Sequence, residues 1–215
     1  MIREMRAAIF DLDGVIVDTA KYHYLAWKRL ANQYGFDFSE TDNERLKGVS
    51  RLRSLEILLE IGGLRVDPAA RQAMAEQKND WYVDLIRHMD ASELLPGAAG
   101  YLQALRNRGV RTALGSASKN APLILERVGI APLFDAVVDG AKIQQAKPDP
   151  EVFLCAAQEL GVPPQSCVVF EDAEAGIEAA RRAGMGAVGV GSPATLKDAD
   201  MVIRGLDQLV VLTLS

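Results

Sequence analysis

Asp11 and Asp13 stand two residues apart, directly after the apolar run Ala7-Ala8-Ile9-Phe10. Such a run reads as a buried strand, so both acids fall where the strand ends and the backbone opens. Gly14 then permits a sharp turn. Two acids crowded at a strand's carboxyl end are costly unless a cation or a reaction uses them. The pair suits a carboxylate nucleophile, a second carboxyl for proton transfer, and a divalent metal that lets both stay charged. A plain turn, or a calcium loop, uses the same residue types. The calcium loop requires further oxygen ligands just downstream, and here Val15, Ile16 and Val17 follow.

The elements that must position these acids come in two textures. After the first strand, residues 20 to 90 carry no convincing strand. Ala20–Tyr34 and Arg51–Ile61 show apolar residues at helical spacing, and Pro68 opens a long helix to about Met89. From Leu95 onward, short apolar strands alternate with helices. The strands are Val110–Gly115, Ala136–Val138, Ser166–Phe170, Ala187–Val190 and Met201–Ile203. The helices are Gly97–Arg108, Asn120–Val128, Pro150–Leu160 and Glu174–Ala183, each followed by glycine at 109, 129, 161 or 184. This alternation predicts an α/β fold: a Rossmann-like parallel sheet core, covered on both faces, with an inserted all-helical domain. The expected division is residues 1–17 and 92–215 for the core and 18–91 for the helical insert, with hinges at Asp18-Thr19 and Pro96-Gly97.

Composition narrows the classes further. The 215 residues are 49% hydrophobic and 25% charged, which suits a globular protein with a sizeable core. The net charge of −5 comes without any basic block, so nucleic acid is not an expected partner. No apolar run approaches the ~20 residues of a membrane span, and the N-terminus lacks a signal-peptide core. A cytoplasmic location is expected. Cys155 and Cys167 lie in an apolar helix and an apolar strand, and read as reduced core residues.

In open parallel sheets, sites form outside the carboxyl ends of the strands. Each such end carries polar chemistry here: Asp11 and Asp13, then Ser116-Ala117-Ser118-Lys119-Asn120, then Glu171-Asp172, with Lys147-Pro148 leading into the helix at Pro150. These are the parts that phosphoryl transfer needs. An aspartate attacks phosphorus, a magnesium ion on oxygen ligands offsets the charge, and a hydroxyl, an N–H and an ammonium hold the phosphoryl oxygens.

The set Asp11-Leu12-Asp13-Gly14-Val15, Ser116, Lys147-Pro148 and Glu171-Asp172 resembles the four motifs of the haloacid dehalogenase superfamily, in order and spacing along the whole chain. The helical insert is similar to that superfamily's cap. Thr19 with His23 and Trp27, the run Lys47-Gly48-Val49-Ser50-Arg51, Lys78-Asn79-Asp80 and Ser116–Asn120 resemble its sugar-phosphate mutases. The resemblance implies a phosphorylated Asp11 and a general acid/base at Asp13. It implies Mg2+ on the Asp11 carboxylate, the Asp13 carbonyl, Asp172 and Glu171. Ser116, Ala117 and Lys147 would hold the transferring phosphoryl group. Arg51, Ser118 and Asn120 would hold the second phosphate of a bisphosphate intermediate. His23, Trp27, Gly48, Val49, Ser50 and Lys78 would contact sugar or position Asp13, and Thr19 would mark a hinge. The implied reaction converts β-glucose 1-phosphate to glucose 6-phosphate, with hydrolysis of a hexose phosphate as the alternative. The substrate is a small-molecule sugar phosphate, and a monomer is expected.

Single residues keep competing roles. Ser116 alone would be a helix cap and Lys147 a solvated loop charge. His23 and Trp27 could simply be packed on a helix face, and Lys78 could be a surface charge. A cationic Arg51 suits a second phosphate, which a simple phosphatase does not need. Ala173 stands where many relatives carry a small hydroxyl residue.

Overall fold

The computed structural model describes residues 5–46 and 49–209. Two compact units divide the chain: one takes the residues up to Asp18 and from Asp90 onward, the other takes Thr19–Met89.

The first unit is built on a six-stranded parallel sheet. Its strands are β1 (Ala7–Phe10), β2 (Arg111–Gly115), β3 (Ala136–Val138), β4 (Cys167–Glu171), β5 (Gly186–Val190) and β6 (Met201–Ile203), in the spatial order β3-β2-β1-β4-β5-β6. All described pairings are parallel. Every residue of β1 and β4 is buried, as expected of central strands covered on both faces. The chain builds outward from β1 to β3, returns, and builds outward the other way from β4. The order therefore reverses between β1 and β4, and a crevice opens at their carboxyl ends.

Side chains alternate across the sheet. Ala7, Ile9, Ala113 and Val169 join a core with Phe153, Ala156 and Ala157 of α7 (Glu151–Leu160) and Ile177 and Ala180 of α8 (Glu174–Arg182). Phe10 faces the other way. Its ring stacks on Phe170 at 4.7 Å and meets Tyr101 of α5 (Ala98–Asn107) edge-on at 6.2 Å. Paired aromatics in register on neighbouring strands add attraction beyond their area. Cys155 and Cys167 are free thiols. A short α6 (Ala121–Arg127) follows β2.

Pro96-Gly97 is not where the units part. Val17 forms an antiparallel bridge with Leu94, and the Leu95 N–H donates to the Ile16 carbonyl at 2.9 Å. These bonds tie residues 94–95 into the first unit, so the division falls earlier, at Asp90.

The second unit is helical: α1 (Ala20–Gln33), α2 (Glu40–Glu44), α3 (Arg51–Ile61) and α4 (Pro68–Ile86). Its core gathers Trp27, Leu30, Phe38, Leu55, Leu58 and Met74. α4 ends three residues before the expected Met89. There the His88 and Met89 N–H groups bond three residues back, to Leu85 and Ile86, which tightens and closes the helix. α2 was not expected. A capping box starts it, with the Ser39 hydroxyl accepting from the Asp42 N–H and the Asp42 carboxylate accepting from the Ser39 N–H at 3.0 Å. No described helix is long and apolar enough to cross a membrane.

Candidate active site

Strand register builds the site on the first unit. Phe10 pairs with Leu114 on one side and with Phe170 on the other. The next residues, Asp11, Gly115 and Glu171, are therefore level across three adjacent strands. The Asp11 N–H donates to the Phe170 carbonyl at 2.9 Å and continues the ladder by one residue. Lys147 converges on the same three positions. Its Nζ donates to Asp11 Oδ1 at 2.6 Å, to Glu171 Oε2 at 2.8 Å and to the Gly115 carbonyl at 3.2 Å. The ammonium lies 4.8 Å from the centre of the Phe153 ring. Lys147 is thus no solvated loop charge; its side chain is 8% exposed.

Glu171 and Asp172 complete an acidic cluster with Asp11. One carboxylate oxygen from each lies within 4.8 Å of the others. At that spacing, with an effective dielectric of about 20, each like-charged pair repels by roughly 3–4 kcal/mol. One ammonium serves all three acids, and its contacts go to Asp11 and Glu171. Charge balance is incomplete, and the carboxyl groups register it. Burial and then the Asp11 charge push Glu171 up to about 7, against the pull of Lys147. Burial, Asp11, Glu171 and Asp13 push Asp172 up to about 8. Burial works against the Lys147 ammonium, but Asp11 and Glu171 outweigh it and its pKa is raised. Crowded hard oxygen donors with excess negative charge fit a Mg2+ ion. The Asp13 side chain is not part of this oxygen cluster, which leaves its backbone carbonyl as the group the resemblance assigns to metal.

Two glycines make room for these acids. Gly14 holds φ at +74°, and a Cβ there would strike the Asp172 carboxylate. A Cβ on Gly176 would strike the Glu171 carboxylate. The Ala173 N–H donates to Glu171 Oε1 at 3.2 Å, which fixes the second carboxylate oxygen. Ser116 is 2% exposed and follows β2. Its hydroxyl accepts from the Ser118 N–H at 3.1 Å, and the Ser118 hydroxyl accepts from the Asn120 N–H at 3.2 Å. Ser116 is therefore not the cap of α6; that position belongs to Asn120. The hydroxyl-backbone turns instead curl Ala117, which is exposed, around the carboxyl edge of the sheet.

The second unit gathers another polar group. His23 of α1 stacks on Tyr82 of α4 with ring centres 4.1 Å apart, and its Nδ1 lies 2.8 Å from Lys78 Nζ. Lys78 is 2% exposed, not a surface charge. Its ammonium lies 4.5 Å from the Trp27 ring centre and 4.7 Å from that of Tyr82. Burial, then Lys78 and Arg51, hold His23 well below its ordinary pKa, in its neutral form. Burial also lowers Arg51, partly offset by Tyr82, Asp80 and Glu76. Trp27, expected against sugar, is 2% exposed and packs in this unit's core, because α1 turns it inward with Leu30 and Ala31. Val49 and Ser50 are exposed, and the Ser50 hydroxyl caps α3 through the Arg53 N–H at 3.3 Å. Thr19 is buried at the first position of the unit, its carbonyl accepting from the Tyr22 and His23 N–H groups. Gly48 lies outside the described residues. Tyr82 is announced in the sequence only by its place four residues after Lys78 on the same helix face.

The haloacid dehalogenase-like hydrolase family matches residues 5–184. The chain is 46% identical to a β-phosphoglucomutase of Bacillus subtilis over 209 residues, covering 96% of this chain and 92% of that one. It is 35% identical to a fructose-1-phosphate phosphatase of Escherichia coli over 190 residues, covering 88% of this chain and 98% of that one. A crystal structure of β-phosphoglucomutase from Clostridium difficile superposes with a TM-score of 0.90 at 44% identity, covering 95% and 93% of the two chains. With its acids, lysine and serine at the carboxyl edge of a parallel sheet, the chain belongs to the haloacid dehalogenase-like hydrolase family.

Proposed function

We propose that this enzyme is a magnesium-dependent β-phosphoglucomutase, a cytoplasmic isomerase that interconverts β-D-glucose 1-phosphate and glucose 6-phosphate through a phosphorylated Asp11 and β-glucose 1,6-bisphosphate. Asp11 attacks phosphorus: its carboxylate oxygen forms the new P–O bond as the bond to the sugar oxygen breaks. Asp13 donates a proton to that leaving oxygen, and takes one from the sugar hydroxyl that later attacks the phosphoaspartate. Lys147 orients Asp11 and presents its ammonium to the phosphoryl oxygens, with the Ser116 hydroxyl and the Ala117 N–H. Asp11, Glu171, Asp172 and the Asp13 carbonyl would hold Mg2+, which would supply positive charge against the repulsion between carboxylate and phosphoryl group.

The observation that carries the mutase reading is Arg51, charged and partly buried beside His23 on the helical unit. Ser118, Asn120 and Arg51 are the residues we assign to the second phosphate, and His23, Val49, Ser50 and Lys78 to the sugar. A mutase needs a cation for each phosphate of the bisphosphate; a hydrolase needs one. The second reading, a sugar-phosphate phosphatase, has support from the 35% identity to the Escherichia coli enzyme.

Incubation with β-glucose 1-phosphate, Mg2+ and a trace of the bisphosphate separates the two. Glucose 6-phosphate is the expected product, and free phosphate without it overturns the mutase reading. Replacing Arg51 with Ala removes one charged hydrogen-bonding group. Arg51→Ala should lower mutase turnover about 10- to 100-fold, as loss of 1.5–3 kcal/mol implies, and leave slow phosphate release intact. Equal loss of both activities would reduce Arg51 to a structural role.

A further inference from the structure

The loop that delivers Lys147 is gripped from both ends. Ahead of it, Glu151 Oε2 accepts the Gln144 N–H at 2.9 Å and the Gln145 N–H at 2.6 Å. Behind it, Arg182 Nη1 of α8 donates to the Pro148 carbonyl at 2.9 Å. Between these anchors the Asp149 N–H bonds the Ala146 carbonyl at 3.0 Å, and Asp149 Oδ1 accepts the Glu151 N–H at 3.0 Å.

Glu151 opens α7, where an acid commonly stabilises a helix by facing its free N–H groups. Its Oε2 instead serves two loop N–H groups that do not belong to the helix. The first-turn Phe153 and Leu154 N–H groups bond the Pro150 carbonyl. Two charge-assisted bonds on consecutive backbone N–H groups hold that backbone in one orientation. Two residues further on, Lys147 must place one ammonium within hydrogen-bond reach of Asp11, Glu171 and Gly115 at once. An error of about 1 Å is enough to degrade such a constellation.

We propose that Glu151 is a positioning residue for phosphoryl transfer: its grip on the Gln144 and Gln145 N–H groups sets the reach of Lys147 to Asp11. This rests on the reading of Lys147 as the phosphoryl-holding cation.

A double-mutant cycle tests it. Glu151→Ala should lower kcat/KM about 10- to 100-fold when Lys147 is present, and less than about 3-fold in a Lys147→Ala background. Glu151→Gln keeps an acceptor oxygen and should fall between Glu151→Ala and the unchanged protein. It carries the cycle if Glu151→Ala does not fold. A second measurement needs no turnover: inorganic phosphate binding, read as protection against thermal unfolding. Glu151→Ala should weaken phosphate binding only where Lys147 is present. If the protein neither isomerises nor hydrolyses sugar phosphates, the proposed function fails, and this coupling still decides the role of Glu151. The same loss in both backgrounds, by either measurement, overturns the proposal and leaves Glu151 as a stabilising loop anchor.

Discussion

Among the three clustered acids, Asp172 stands apart, because no described ion pair joins it to Lys147. Burial, and then the charges of Asp11, Glu171 and Asp13, raise its carboxyl to about 8, above Glu171 at about 7, which Lys147 contacts directly. Both groups have folded pKa values above those of the unfolded chain. The native state then binds more protons than the unfolded state between about pH 4 and 8, so stability falls as pH rises through that window. A divalent cation on these oxygens binds the deprotonated form and offsets the repulsion. In metal-stripped protein these two carboxyls should lower thermal stability from about pH 5 to pH 8, against an opposite contribution from His23, whose pKa is lowered in the folded state. Millimolar Mg2+ should raise Tm little at pH 5.5 and by several degrees at pH 8. The readout is the difference in Tm with and without Mg2+ at each pH, which cancels titrations elsewhere. A gain that is equal at both pH values, or larger at pH 5.5, would show that these carboxylates are not where Mg2+ acts.

The element most open to improvement is α8, whose N-cap is Ala173. Its backbone is extended at φ −117° and ψ 144°, the geometry of a good cap, but it has no side-chain oxygen to accept the helix's free N–H groups. Ala173→Ser should stabilise the protein by about 1 kcal/mol and raise Tm by roughly 2–4 °C, read by calorimetry. Unchanged Tm would mean that the new hydroxyl turns to the neighbouring acids instead. The same helix shows what could be read in advance. Its start after Glu171-Asp172 and its end before Gly184 were legible, because glycine punctuates the strand–helix units and the strands are apolar on both faces. The meeting of Lys147 with Asp11 was foreseeable only through motif order, since 136 residues separate them and the contact exists only once β1, β2 and β4 align. Lys78 is open in the sequence between a sugar contact and a surface charge, and burial removes the second. Its spacing, four residues after Met74 and four before Tyr82, puts it on the buried stripe of α4. α2 escaped notice because its five residues bury only Asn43 and so carry no periodicity. Glu151 carries no signal in the sequence, because which N–H groups its carboxylate holds depends on the folded path of residues 144 and 145.

At the scale of the molecule, the apolar cluster around Ile9 and Phe153 shares no residue with the one around Trp27 and Leu58. Among the described residues each unit thus holds an apolar cluster of its own, and the chain passes between the units at Asp18/Thr19 and Met89/Asp90. Regions with separate cores open with separate free energies. Leu58 is fully buried, and Leu58→Ala should cost about 2–5 kcal/mol through lost burial and the cavity left behind. If the units open independently, that cost falls on Thr19–Met89 alone. Native-state hydrogen exchange should then show protection in α3 and α4 reduced roughly 30-fold or more, while amides of β1 and β4 change by only a few fold. If Lys147 holds phosphate and His23 and Arg51 serve the sugar phosphate as we propose, inorganic phosphate binding should persist in the same variant, whereas mutase turnover should fall. If the β1 and β4 amides lose protection as steeply as those of α3, the two units unfold as one, and the helical unit is part of the stability of the sheet.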